Sequence, residues 1–277
     1  MRDVCVHVPQ TSETLFREEI RSGWSYRYGY SRSAESRASG DTGQDYCTFA
    51  ESDQSIVFVL CDGISMSYYG DFAARFVGDR LLEWLASLSR ASLDASMLER
   101  ELAVVLDTAA ARARKELEDH SIPEHIQGML REVLQAKKRQ GSGTMFACGR
   151  VDLPSLSRPE GSIRLAWHGD LRIRLWQGAE ETSELLGDQF HTSHQWNSES
   201  GIVHGKAHIY CASLQQGDIG NGGEVLLYTD GLHVLDFHNP VTPALLSQVI
   251  KQEALDASSD DMAFFHIRWG RDLWDGL

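Results

Sequence analysis

The sequence predicts an α+β fold in which antiparallel sheets pack on each other and helices lie outside them. Apolar, strand-like runs occur in both the first and the last part of the chain, whereas helical periodicities fill the middle. No period of 20 to 50 residues repeats, which argues against a solenoid or a propeller. The 277 residues fit one large domain, because layered folds often take about 250 residues as a single unit.

Composition narrows the functional classes. Lys and Arg number 26 against 40 Asp and Glu, a formal net charge of −14, so neither nucleic acid nor an anionic membrane is an expected partner. The five cysteines are scattered without a paired motif, which favours reduced thiols in a cytoplasmic protein. No apolar stretch reaches the roughly 20 residues that span a bilayer, and the N-terminus shows no secretory signal.

The first part of the chain predicts three strands. Four aromatic residues alternate with polar or small ones and predict an edge strand: Trp24, Tyr26, Tyr28 and Tyr30. Residues 46–50 and 55–61 are strand-like runs joined by four polar residues, which is typical of a hairpin. The run at 56–60 is apolar on both faces, and this favours a covered, central strand.

Helices are predicted at residues 71–89, at 94–118 with Asp94 as N-cap, and at 124–138 after Pro123. The apolar stripes of the first two helices are expected to face the core. Further strands are predicted at 145–150, 163–168, 172–176, 224–229 and 262–269, with a helix opening at Thr242 and Pro243 and running to about residue 252. Residues 177–208 are polar and irregular, so we expect a mobile flap or long loop without core residues.

Acidic residues lie just before or just after several predicted strands. Asp45 stands just before one strand of the hairpin and Asp62 just after the other, so the antiparallel pairing puts both at one edge. Asp230 follows the strand at 225–229, while Asp260 and Asp261 precede the strand that starts at residue 262. If those two strands are antiparallel neighbours, their acids also share an edge. Stacked sheets would then gather four or more carboxylates at one rim.

Such a cluster implies bound cations, because each like-charged neighbour raises the pKa of the other carboxyl groups. Oxygen ligands without interleaved His or Cys favour hard ions such as Mg²⁺ or Mn²⁺. Two such ions about 4 Å apart activate a water and clamp a phosphoryl group. An Asp-Gly pair taken alone is more often an ordinary turn, so the argument depends on several acids meeting.

Six motifs, in order, resemble those of the metal-dependent protein phosphatases of type 2C, the PPM-type family. The likeness covers about residues 33–268. The motifs are Gln44-Asp45, Val59-Leu-Cys-Asp62-Gly63, Gly141-Ser-Gly-Thr144, His168-Gly169-Asp170-Leu-Arg172, Leu227-Tyr-Thr-Asp230-Gly231-Leu232 and Asp260-Asp261-Met262. Each motif alone is weak, but their order and the apolar strands before two of the Asp-Gly pairs make the combined signal strong.

The resemblance implies a β-sandwich of two antiparallel sheets flanked by α-helices, a four-layer αββα fold, in a single domain spanning 1–277. It also implies a binuclear Mn²⁺ or Mg²⁺ site that hydrolyses phosphoserine and phosphothreonine through a metal-activated water. On this basis Asp62 bridges the two ions and the Gly63 carbonyl binds one of them. Asp230 and Asp260 bind the other, and Asp45 acts largely through water. Asp62, Asp230 and Asp260 are the expected catalytic acids.

At other positions the correspondence with the family is weaker. Asp170 corresponds to a residue that binds a third, weaker ion in some bacterial members, and Asp261 is expected to be a neighbour rather than a ligand. Where the family commonly has a phosphate-binding Arg and an Asn, this chain has Gly40 and Gly43. Arg37 is the nearest basic candidate for phosphate binding, and a solvated loop arginine is the alternative. These departures indicate a divergent bacterial branch.

We therefore expect a cytoplasmic protein Ser/Thr phosphatase acting on a phosphoprotein, with a Ser/Thr kinase as its counterpart. The His that serves as general acid in some relatives has no equivalent in the Ile64-Ser-Met-Ser67 segment. The rival hypothesis is a pseudophosphatase that binds a phosphoprotein or kinase as a regulatory module, and a third is a phosphatase of small molecules or nucleotides. His191 and His194, three residues apart, are expected to be surface or flap residues rather than metal ligands.

Overall fold

Two antiparallel β-sheets face each other in the computed structural model, which describes residues 4–21, 23–89, 94–155, 159–215 and 222–270. The strands are β1 Val4–His7, β2 Thr14–Arg21, β3 Trp24–Ser31, β4 Tyr46–Glu51, β5 Ser55–Gly63, β6 Gly143–Asp152, β7 Glu160–His168, β8 Arg172–Gln177, β9 Glu180–Glu181, β10 Gln195–Asn197, β11 Gly201–Val203, β12 His208–Gln215, β13 Gly223–Tyr228 and β14 Met262–Trp269.

The helices are α1 Ala34–Ser39, α2 Gly70–Ser87, α3 Ala95–Asp119, α4 Gly128–Gln140 and α5 Pro243–Glu253, with 3-10 helices at Ser183–Leu186 and Asp230–Phe237. Side chains cap two of them as the sequence predicts. The Asp94 carboxylate accepts hydrogen bonds from the first turn of α3, and the Thr242 hydroxyl does so for α5, where Pro243 opens the helix. No helix in the described ranges is long and apolar enough to cross a membrane.

The eight-stranded sheet has the order β1-β4-β5-β6-β10-β11, and β7 pairs with both β6 and β12. The six-stranded sheet has the order β2-β3-β14-β13-β8-β9. Aromatic side chains from both sheets fill the space between them. The stacked rings of Phe58 and Phe265, for example, have centroids 4.9 Å apart.

Helices cover the outer face of each sheet. The apolar stripes of α2 and α3 pack on the eight-stranded sheet, and α5 with the second 3-10 helix packs on the six-stranded one. The predicted α+β fold, a sandwich of two antiparallel sheets with helices outside, is therefore confirmed. Its four layers follow from the two sheets each having one apolar face toward the other and one toward helices.

The predicted hairpin at residues 46–61 is confirmed, and β5 lies in the middle of its sheet as expected. The prediction that the strand containing Trp24 and Tyr30 lies at an edge is wrong. Strand β2, which the sequence analysis did not identify, pairs along its outer side, while β14 pairs along its inner side. Alternating aromatic residues indicate that one face of a strand is covered, but they do not indicate how many strands pair with it.

Residues 177–208 are more ordered than predicted. They contain the β10–β11 hairpin, which extends the eight-stranded sheet, and the first 3-10 helix. The expectation that the segment contributes nothing to the core is wrong, because the Trp196 side chain is fully buried and its indole nitrogen donates to the Leu106 carbonyl at 3.0 Å. One tryptophan in a polar stretch can anchor the whole segment, since it buries a large apolar area.

Candidate metal centre

The hairpin of β4 and β5 places the first two acids. Tyr46 pairs with Cys61 in the antiparallel register, so Asp45, one residue before β4, stands opposite Asp62 near the end of β5. Gly63 follows immediately and pairs with Thr144 of β6. The predicted meeting of Asp45 and Asp62 at one strand end is therefore confirmed for this sheet.

The second sheet places three more acids at its corresponding end. Strand β13 ends at Tyr228 and pairs antiparallel with β14, so Asp230 after β13 and the pair Asp260 and Asp261 before β14 come to the same edge. Asp170 lies in the short connection from β7 in one sheet to β8 in the other, and β8 pairs with β13. The sandwich thus brings acids from both sheets to one rim.

These acids meet in one cavity of about 170 Å³. Its lining also includes Gly63, and its carboxylates are those of Asp45, Asp62, Asp170, Asp230, Asp260 and Asp261. Every residue that the sequence predicted as a metal ligand therefore lies here. Asp45 and Asp261 are buried and Asp230 and Asp260 are exposed, so the cavity opens to solvent on the side of the second sheet.

Burial and mutual repulsion perturb the acids strongly. Desolvation first, then the negative charges of Asp230, Asp170 and Asp260, hold the pKa of Asp62 well above its usual range. Desolvation and the charge of Asp62 likewise hold the pKa of Asp45 well above its usual range. The cavity therefore disfavours ionised carboxylates unless positive charge enters it.

Partial desolvation inside the cavity also raises the pKa of Asp170 and of Asp230, and the neighbouring acids Asp260 and Asp170 raise that of Asp230 further. These two residues come from different connections of the fold. The unfavourable field thus extends across both sheets and is not confined to the hairpin.

The residues present fit hard divalent cations. The Asp170 Oδ1 atom is buried and has no hydrogen-bond partner among the described residues, which is costly for a carboxylate oxygen unless a cation satisfies it. The other polar groups of the lining are mostly carboxylate oxygens, the ligands that Mg²⁺ and Mn²⁺ prefer. No three described acids bring their oxygens within 4.8 Å of one another, so three of them can contact one ion only after their side chains move inwards.

Two glycines allow the loops to approach this closely. A Cβ atom at Gly63 would lie 2.5 Å from the Gly70 carbonyl oxygen, and one at Gly231 would lie 2.2 Å from the Asp261 carbonyl oxygen. Real Cβ contacts essentially never fall below 3.0 Å. Packing at the rim therefore requires the glycines that follow Asp62 and Asp230, in addition to any role that they have as turn residues.

Asp261 has a different environment from the other acids. One of its oxygens accepts from the Ser33 amide at 2.7 Å and the other from the Gln44 amide at 2.9 Å. Its carboxylate therefore ties the segment before β4, which carries Asp45, and the start of α1 to the loop before β14.

Sequence reasoning missed Thr229. Its hydroxyl donates to Asp45 Oδ2 at 2.6 Å and accepts from the Ala263 amide at 2.9 Å. This bond connects the acids of the two sheets and favours the ionised form of Asp45. The available signal was its position, immediately before Asp230 at the end of an apolar strand.

Arg37 lies in α1, outside the lining of the acidic cavity. Its guanidinium donates to the Ser31 hydroxyl and the Ser259 hydroxyl, each at 3.2 Å, and to the Arg32 carbonyl. It therefore braces the loop that leads to Asp260. A role in phosphate binding stays a prediction.

Comparison with known proteins agrees with this geometry. A search of curated protein sequences found no match. Solved structures with the same fold include RsbX in complex with magnesium, at 11% identity and a TM-score of 0.54, which covers 92% of this chain and 100% of that chain. The serine/threonine phosphatase Stp1 from Staphylococcus aureus matches at 16% identity and a TM-score of 0.54, over 88% of this chain and 94% of that one.

A further structure, described as a bacterial serine phosphatase, matches at 15% identity and a TM-score of 0.52, over 88% of this chain and 96% of that chain. The low identities agree with a divergent branch. At the sequence level, residues 32–263 match the family described as protein phosphatase 2C. The match covers most of the chain and includes every acid of the cavity, so this protein belongs to the protein phosphatase 2C family.

Proposed function

We propose that the protein is a metal-dependent protein phosphatase that hydrolyses phosphoserine and phosphothreonine. The single observation that carries the proposal is the convergence of six carboxylates from both sheets in one solvent-open cavity that also contains an unpartnered buried carboxylate oxygen. A binding module has no need for carboxylates that destabilise one another, whereas a site for cations and phosphate does.

We assign the ligands of two ions, Mn²⁺ or Mg²⁺, to the rim residues. Asp62 would bind both ions and the Gly63 carbonyl would bind one of them. Asp230 and Asp260 would bind the other, and Asp45 would act largely through water. When bound, such ions supply the charge that lowers the pKa of a water molecule and neutralises the phosphoryl oxygens. RsbX, which shares the fold, was solved with magnesium, and this supports divalent-cation chemistry here.

Asp170 is proposed to bind a third, weaker ion. Its carboxylate lies on the β7–β8 connection, while its backbone carbonyl accepts from the Arg172 guanidinium at 2.7 Å. That bond leaves the carboxylate free to face the cavity. Thr229 holds Asp45, and Asp261 holds the loop that carries Asp45, so these two residues position ligands rather than touch substrate.

A larger groove of about 810 Å³ adjoins the cavity and shares Gln44, Ser65, Asp260 and Asp261 with it. Hydroxyl-bearing residues of α1 and of the loop before β14 form much of its wall. A groove of this volume can hold a stretch of peptide, because it lies within the range of about 300–1,000 Å³ typical of ligand pockets. The groove therefore offers room for the part of a substrate that lies beyond its phosphoryl group.

The proposal has three further parts: the domain organisation, the location and the role of Arg37. We propose that the chain is a single domain, that it acts in the cytoplasm and that it reverses the work of a Ser/Thr kinase. Arg37 is the nearest cation on α1 and is proposed to turn toward the phosphate when its bond to Ser259 breaks.

The test is Mn²⁺-dependent release of phosphate from p-nitrophenyl phosphate, from a phosphothreonine peptide and from a nucleotide. Asp230→Asn removes a ligand, and Asp53→Asn, at an exposed residue of the β4–β5 turn, is the charge-matched control. We expect Asp230→Asn to abolish phosphopeptide hydrolysis and Asp53→Asn to retain it. Equal rates in all three proteins would exclude hydrolysis by this site and favour a pseudophosphatase, and a preference for the nucleotide would contradict the assigned substrate class.

A further inference from the structure

Three histidine side chains meet outside the acidic cavity. His191 and His194 belong to the segment before β10, and His208 is the first residue of β12. One ring nitrogen from each lies within 4.8 Å of those of the other two, and all three residues are half-buried. Among the described residues, this is the only group of three or more His, Cys, Asp or Glu side chains that converge so closely.

The backbone holds the first two histidines in a tight turn. The His194 amide donates to the His191 carbonyl at 3.0 Å, and the His191 amide donates to the Gly169 carbonyl, also at 3.0 Å. The second bond attaches the turn to the residue next to Asp170. The histidine group and the acidic cavity are therefore separate sites that share one connection of the fold.

Aromatic neighbours fix the positions of the rings. The rings of His191 and His194 have centroids 4.3 Å apart, and His208 lies 5.7 Å from the first and 6.5 Å from the second. Trp167 stacks on His208 at 5.3 Å, and the buried His168 stacks on His194 at 5.0 Å. Ring positions held by packing in this way are the preorganisation that a ligand site requires.

A second observation points to a ligand. The Nδ1 atom of His194 is buried and has no hydrogen-bond partner among the described residues. A buried imidazole nitrogen without a partner is unfavourable, and coordination of a metal ion satisfies it. The Asp188 carboxylate lies 3.6 Å from Nε2 of His191 and adds a negative charge beside the histidine group.

The geometry points to a binding site for a divalent transition-metal ion of the zinc class, held by His191, His194 and His208. Imidazole ligands suit Zn²⁺, whereas the carboxylate cavity suits Mg²⁺ or Mn²⁺, so ligand chemistry separates the two sites. Three protein ligands leave a fourth position for water. Glu99 lines the same pocket, but it pairs with Lys206 at 2.7 Å.

An ion bound here has a structural consequence. It joins the turn at residues 191–194 to the start of β12, two segments that lie on different parts of the chain. Because the turn is bonded to Gly169, the ion also fixes the connection that carries Asp170. Binding to the folded chain alone stabilises it by mass action, so Zn²⁺ is expected to raise the melting temperature.

The test uses Zn²⁺ alone as the probe, on the full chain carrying Asp62→Asn and in excess Mg²⁺, so that the acidic cavity does not compete. Calorimetry is expected to show one Zn²⁺ per chain. His194→Ala and His208→Ala are each expected to weaken binding at least about 100-fold, since loss of even an outer partner costs about 10- to 100-fold. His125→Ala, at an exposed histidine elsewhere, is the matched control and is expected to bind Zn²⁺ unchanged.

X-ray absorption at the zinc edge of the same chain, with its histidines intact, tests the site independently of variant folding. Three imidazole ligands are expected. A spectrum of oxygen ligands only, or Zn²⁺ affinity that is the same in His208→Ala as in its parent, overturns the proposal. A rise in melting temperature with Zn²⁺ that persists in both histidine variants also contradicts it.

Discussion

Replacing Asp62 by Asn should change stability and metal binding in opposite directions. Asp62 faces Asp230, Asp170 and Asp260, and its pKa is raised by burial and by their charges. Without metal, its ionised form therefore costs the folded state free energy at neutral pH. Asn keeps the shape of the side chain and removes that charge. The same change removes the proposed bridging ligand.

The size of the effect follows from the cavity. A sphere of 170 Å³ is about 7 Å across, so with atomic radii added two opposing carboxylates stand on the order of 10 Å apart and repel by about 1.7 kcal/mol at an effective dielectric constant of about 20. Because neighbouring acids can take up protons, the repulsion of only one such pair is counted. We expect Asp62→Asn to raise the free energy of unfolding in EDTA at pH 7.5 by about 2 kcal/mol.

Urea unfolding in EDTA measures the stability, and calorimetry with Mn²⁺ measures the affinity. Asp53→Asn makes the same change in net charge at an exposed turn residue and is expected to alter neither. At pH 4 the gain in Asp62→Asn should shrink, because the wild-type carboxyl is then protonated. The reasoning is refuted if Asp62→Asn is no more stable than wild type in EDTA at pH 7.5, or if it binds Mn²⁺ as tightly.

Three further predictions concern the same rim. The pKa values of Asp45 and Asp62 are higher in the folded state than in the unfolded state, so the metal-free protein should lose stability as pH rises from about 4 toward 7. Mn²⁺ should remove that loss. Urea titrations across pH measure the stability, and a stability that rises with pH in EDTA contradicts the prediction. The Cβ atom of Gly63→Ala would meet the Gly70 carbonyl, so this variant should have a free energy of unfolding lower by about 1–3 kcal/mol and reduced phosphatase activity. Wild-type stability and rate in the variant contradict the close packing. Thr229→Val should destabilise the fold by about 1–3 kcal/mol. It should also move the pH midpoint of Mn²⁺ binding upward, because the hydrogen bond from the Thr229 hydroxyl favours ionised Asp45, whereas Thr229→Ser should retain the wild-type midpoint. Identical midpoints for both variants exclude this role.

Much of the acidic site could be predicted from the sequence because its signals are local. An apolar run of five or six residues predicts a strand, and an acid just beyond its end has a fixed position once the pairing is antiparallel. The hairpin that carries Asp45 and Asp62 needs only four connecting residues, so its register follows directly. The pairing of β13 with β14 was an assumption, and it holds because α5 and the second 3-10 helix connect them across one face.

What the sequence could not predict depends on contacts between distant segments. Strand β2 is largely exposed and charged, and β12 is only partly buried, so neither has the apolar signal of a central strand. The burial of Trp196 depends on a helix some 90 residues earlier in the chain. His191 and His194 look like surface residues until β12 brings His208 beside them, because that proximity comes from strand pairing rather than spacing.

Anomalous scattering from crystals grown with Mn²⁺ shows whether the acidic cavity holds two metal ions. We predict two manganese peaks about 4 Å apart inside the acidic cavity, with Asp62 between them and with Asp230 and Asp260 on one of the two ions. Peaks confined to surface carboxylates, with the cavity acids contacting no manganese at saturating concentration, would contradict the account.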